Sequence, residues 1–159
     1  MTRAITDNSV ISWKLYAAAL FLAVALLSCD TSQEEQPLSQ EQNTALLNKL
    51  ATSIGISFPA GTKLIRYDSD FGSDGLIRAK LVFTPAQWTR FVDESPLDPE
   101  TFEEEQRYLL GTNVEWWNPE DPAELPTAQA SLPDAKVLNV GIDRSDPNLI
   151  TAFLVWHGT

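Results

Sequence analysis

The stretch KLIRYDSDFGSDGLIRAKLVFTPAQ, residues 63–87, decides the fold. Residues 63–67 and 76–83 are strand-like runs in which apolar residues are interleaved with Lys and Arg, and between them Asp68, Ser69, Asp70, Gly72, Ser73, Asp74 and Gly75 crowd together turn-forming residues. Two such runs around such a cluster predict an antiparallel hairpin. The second run leads straight into a helix start. Thr84 stands at the cap, Pro85 at the first helical position, where its missing N–H leaves nothing unsatisfied, and Gln87 three residues after the cap. Trp88, Phe91 and Val92 then share one apolar face.

Upstream, Ser39 and Gln42 repeat the capping-box spacing, and Leu47, Leu50, Ala51 and Ile54 recur at helical intervals before Gly55. One amphipathic helix is expected there. Downstream, Asp98 and Pro99 open a third expected helix that runs to Leu110, with Glu103 and Arg107 paired one turn apart and Gly111 as its stop. Residues 118–133 hold four prolines and several acids, which predicts a long surface loop of the kind that carries function. Residues 136–142 and 149–157 are expected strands around the turn 143–148. Since 149–156 is apolar nearly throughout, that strand should be buried on both faces. The order helix, strand, strand, helix, helix, strand, strand gives an α+β domain over residues 43–159. Its mainly antiparallel sheet should have about four strands, with two to three helices packed against one face.

The beginning of the chain has a different character. Residues 1–14 carry Arg3 and Lys14 against Asp7, and residues 15–27 form a thirteen-residue apolar core. A bilayer-spanning helix needs ~20 such residues and a signal-peptide core roughly 7 to 15, so length favours a processed signal over a permanent span. Leu26, Leu27, Ser28 and Cys29 follow, the last being the single cysteine of the chain. These four residues resemble the lipobox of bacterial lipoproteins. The resemblance implies cleavage after residue 28, diacylglyceryl and fatty-acyl (palmitate-type) modification of Cys29, and a bacterial cell-envelope protein anchored to a membrane by lipid. Each buried acyl CH₂ contributes ~0.8 kcal/mol, so two or three chains hold a domain to the bilayer durably. Asp30 resembles the inner-membrane retention signal of enterobacterial lipoproteins, a rule that varies between lineages and leaves the leaflet open. Residues 29–42 are polar and acidic, as a flexible tether is.

From Cys29 onward there are nine Lys and Arg against twenty-one Asp and Glu, a net charge of −12. Such a field repels phosphate backbones, which argues against nucleic acid and for a protein partner with a basic surface. With Cys29 consumed by acylation, disulfides, thiol catalysis and thiolate metal sites are excluded, and no cofactor is implied.

Three constellations stand out. His157 is the one histidine, near the end of an expected strand and without a nucleophile motif, so an exposed or structural imidazole is expected. Asp68, Asp70 and Asp74 resemble alternating calcium ligands, but an EF-hand loop needs oxygens where this chain has Gly72 and Ala79, and acids are ordinary turn residues. Trp116 and Trp117 are adjacent, so in extended chain one indole enters the core and the other lies near solvent. With Glu115 and Asp121 flanking them, these residues form the candidate partner-binding site, an aromatic and acidic groove. No catalytic or metal-binding set is identified. The expected function is therefore that of a membrane-anchored envelope lipoprotein with a non-enzymatic protein-binding domain. Its type is that of immunity, inhibitor or envelope accessory proteins, whose size and acidity it shares. The alternatives are a small envelope hydrolase acting on glycan or ester substrates and a structural envelope component.

Overall fold

The computed structural model describes residues 38–70, 75–102, 104–111 and 115–158. The signal segment, Cys29, Asp30 and most of the tether lie outside the described residues. So do Asp74, Glu103 and the side chain of Asp70. The expected tether runs to residue 42, but Gln40, Glu41 and Gln42 already form the first turn of a helix.

Among the described residues, local rules set both α-helices. Helix α1 (Gln40–Ile54) starts in a complete capping box, in which Gln42 N donates to Ser39 Oγ at 3.2 Å and Ser39 N to Gln42 Oε1 at 3.0 Å. It ends on Gly55 with a left-handed φ of 85°, a conformation open to glycine without a Cβ penalty. Helix α2 (Pro85–Asp93) repeats the box through Thr84 and Gln87. Among the described residues no helix is long and apolar enough to cross a membrane.

Five strands form one antiparallel sheet: β1 (Lys63–Asp70), β2 (Leu76–Phe83), β3 (Thr127–Ser131), β4 (Val137–Asp143) and β5 (Ile150–His157), in the order β1-β2-β5-β4-β3. Residues directly opposite one another share a face, so the registers define rows across the sheet. Tyr67, Ala79, Leu154, Val140 and Ala128 make one row, and Ser69, Ile77, Trp156, Leu138 and Ala130 the next. Against this first face pack Leu47, Leu50 and Ile54 of α1 and Trp88, Phe91 and Val92 of α2, forming the main core. Asn43 of α1 also secures the start of edge strand β1. Its Oδ1 accepts from Leu64 N at 2.7 Å, and its Nδ2 donates to the Thr62 carbonyl at 2.8 Å.

The second face carries the intervening rows. Arg66, Lys80, Phe153, Gly141 and Thr127 form one, and Asp68, Arg78, Val155, Asn139 and Gln129 the other. A second, smaller core lies here, in which Leu110, Trp117 and Leu125 cover Phe153 and Val155. Central strand β5 is thus buried from both sides, as its nearly unbroken apolar sequence predicts. Gly141 sets how closely the covering layer approaches β4. A Cβ there would stand 2.6 Å from Leu110 Cδ1 and 3.2 Å from Leu125 Cγ.

Two further expectations need correction. Residues 98–110 do not form a third helix. Asp98 does cap, its Oδ1 accepting from Glu100 N at 2.9 Å, but only short 3₁₀ turns follow at Pro99–Thr101 and Arg107–Leu110. The five consecutive polar residues 103–107 interrupt any apolar stripe, and without one a helix has nothing to bury. Nor is 118–133 loop throughout, because its last part is β3. That edge strand inserts Ala128 and Ala130 into the main core and raises the strand number to five. Its small side chains give the alternation little hydrophobic contrast.

Candidate functional site

The segment over the second face is a loop whose backbone carbonyls are gathered by one arginine. Arg107, in the second 3₁₀ turn, donates from Nη1 to the carbonyls of Pro119 at 3.1 Å and Glu120 at 3.2 Å, and from Nη2 to the Ala123 carbonyl at 3.2 Å. The same guanidinium meets Glu105 Oε2 through Nε at 3.3 Å and Nη2 at 3.2 Å. A planar fork of five donors suits this task, since one rigid group fixes three successive parts of a turn. Glu105 completes the clamp by accepting from Leu125 N at 2.7 Å on its other oxygen. That backbone hydrogen bond, opposed by desolvation and aided by the Arg107 contacts, lowers the Glu105 pKa from its ordinary 4.5.

Trp117 supplies the apolar half of the attachment. It is 0 % exposed, stands edge-on to Phe153 with centroids 5.4 Å apart, and donates its indole N–H to the Leu110 carbonyl at 2.9 Å. Trp116 is half-buried beside it, with the Arg66 guanidinium 5.5 Å from its ring centroid. Asn118 links the loop to the sheet, accepting from Lys80 Nζ at 3.0 Å on Oδ1 while its Nδ2 donates to Asp121. Between these attachments Glu115, Glu120, Asp121 and Glu124 are all exposed.

The adjacent tryptophans differ in depth, Trp117 buried and Trp116 half-buried against the same second core, but Glu115 and Trp116 lie in a turn, so strand alternation is not the cause. Trp117 is therefore a packing residue out of a partner's reach. Trp116, Glu115 and Asp121 lie at the surface, but the cation over the Trp116 ring is Arg66, so its immediate surroundings are not purely acidic. His157 is exposed at the end of β5, opposite Leu76 and Val137. Asp68 stands opposite Arg78 on the second face, whereas Asp74 and the Asp70 side chain lie outside the described residues. Arg107 pairs with Glu105, and its expected partner Glu103 is also outside them. Among the described residues no group of three or more His, Cys, Asp or Glu is placed to hold a metal ion.

The Arg107 clamp is the feature that sequence reasoning missed. The signal for it was faint: an arginine shortly before a proline-rich loop whose carbonyls have no regular secondary structure to satisfy them. Comparison with protein-family models, with curated proteins and with solved structures finds no match.

Proposed function

We propose that the chain is a lipid-anchored protein of the bacterial envelope, tethered through acylated Cys29, whose globular domain binds a protein with a basic surface and performs no chemistry of its own. The binding element is the loop of residues 115–126. The observation that carries this reading is the Arg107 fork on three carbonyls of that loop. A free loop of this length would lose backbone and side-chain freedom on meeting a partner, at ~0.5–1.5 kcal/mol for each immobilised side chain. Here the ordering is built into folding, so Glu115, Glu120, Asp121 and Glu124 are presented on a fixed frame. The net charge of −12 beyond Cys29 adds long-range attraction for a cationic surface and speeds encounter.

Two measurements test the two halves of the proposal. Growth with labelled fatty acid should place label on the native protein and none on Cys29→Ser; an unlabelled native protein contradicts the anchor. Crosslinking in intact envelopes should join the native domain to one basic protein, and reversing Glu120, Asp121 and Glu124 to lysine should remove that product. Its persistence in the reversed variant overturns the assignment of the loop.

A further inference from the structure

The same face of the sheet carries a second patch of opposite sign, beside the loop. By register, the outward row positions of the β1–β2 hairpin hold Lys63, Arg66, Arg78 and Lys80, against two acidic positions, Asp68 and Asp70, within the two strands. That is four of the nine cations that follow Cys29, in a sequence with twenty-one acids there. Arg66, Arg78 and Lys80 are half-buried; Lys80 Nζ already meets Asn118 Oδ1 and lies 4.8 Å over the Phe153 ring, whereas among the described residues no ion pair engages Arg78. The patch adjoins the loop through Lys80 and Asn118 and through Arg66 over Trp116.

We infer that this strip receives an extended acidic segment of the partner protein, placed next to the basic surface that meets the loop. The inference rests on the binding role proposed above and specifies its partner chemistry. Cations two residues apart on a strand lie about 7 Å apart, the repeat at which an extended chain presents alternate side chains to one side. A carboxylate ladder therefore matches Arg78 and Lys80 in spacing as well as charge, and the Trp116 ring offers an apolar flank. A negative loop beside a positive strip fixes the orientation of a partner, because turning it round sets like charges against each other at both patches.

The test uses the full-length acylated protein in nonionic detergent micelles, with fluorescein-labelled hexaglutamate and hexalysine peptides followed by anisotropy. Hexaglutamate should bind saturably. Arg78→Glu should weaken it about tenfold, and Lys136→Glu, on a cation outside the strip, should leave it within about twofold. Arg78→Gln, which adds no new charge, should weaken it less while keeping the native melting transition. Absence of saturation at millimolar peptide, equal loss in Lys136→Glu, or tighter binding of inorganic tripolyphosphate than of hexaglutamate at the strip would each overturn the inference. Hexalysine reports separately on the loop: its binding should fall on reversal of Glu120, Asp121 and Glu124 and stay unchanged in Arg78→Glu. The strip and the loop can therefore fail independently.

Discussion

The two faces of the sheet are held by different physics. On the first face, apolar side chains from two helices and all five strands bury one another, and no single contact is decisive. On the second, a short loop layer is fixed by one indole, one glycine that allows close approach, and one guanidinium with its carboxylate partner. The first arrangement tolerates change because burial is shared. The second concentrates its stability in a few groups, so single substitutions should release the layer while the helix-backed core survives.

The sharpest attack on that contrast is Trp117→Ala. It empties a fully buried site and should cost about 3–5 kcal/mol in urea unfolding. Unfolding should begin with loss of protection in residues 104–126, and a variant that melts as one unit with the helices would dissolve the distinction between the faces. Gly141→Ala comes next. Its Cβ would meet Leu110 and Leu125, and about 1–3 kcal/mol of overpacking strain is expected, again local to the loop layer by amide exchange.

A change of opposite sign falls away from both layers. Asp134 and Ala135, in the turn between β3 and β4, have φ of 61° and 58°, a region that disfavours a side chain with a Cβ. Ala135→Gly should stabilise the protein by about 0.5–1 kcal/mol in thermal melts, without altering the loop. The smallest effect is one of pH. The folded-state pKa of Glu105 is depressed, so its contribution is present above the ordinary glutamate range and is lost as pH falls through the folded value. The Leu125 amide resonance should therefore shift with a midpoint below 4.5 in the native protein. In Glu105→Gln that titration should vanish.

Legibility in the sequence follows the same division. Both capping boxes, the hairpin, the strand buried on two faces and the helix-backed core were readable, because periodic burial and local hydrogen bonding leave marks within a few residues of one another. Strand β3 escaped notice because Ala128, Gln129 and Ala130 alternate with too little hydrophobic contrast between flanking prolines. The expected third helix failed because a cap and a glycine stop do not substitute for an apolar stripe. The candidate site was half legible: the sequence marks the tryptophan pair, but the different depths of Trp116 and Trp117 arise in a turn and not from strand alternation. The clamp is not marked, since Arg107 bonds carbonyls twelve to sixteen residues away and no local pattern encodes which ones.

The claim on which the functional account depends is that the acidic loop is ordered before any partner arrives, and native-state hydrogen exchange tests it most directly. In the native protein the Leu125 amide, bonded to Glu105, should be protected well beyond an unstructured peptide. Arg107→Lys, which keeps the charge but loses the fork, should remove that protection while the amides of β2 and β5 stay unchanged. A Leu125 amide that exchanges freely in the native protein, or one equally protected in Arg107→Lys, would contradict the account.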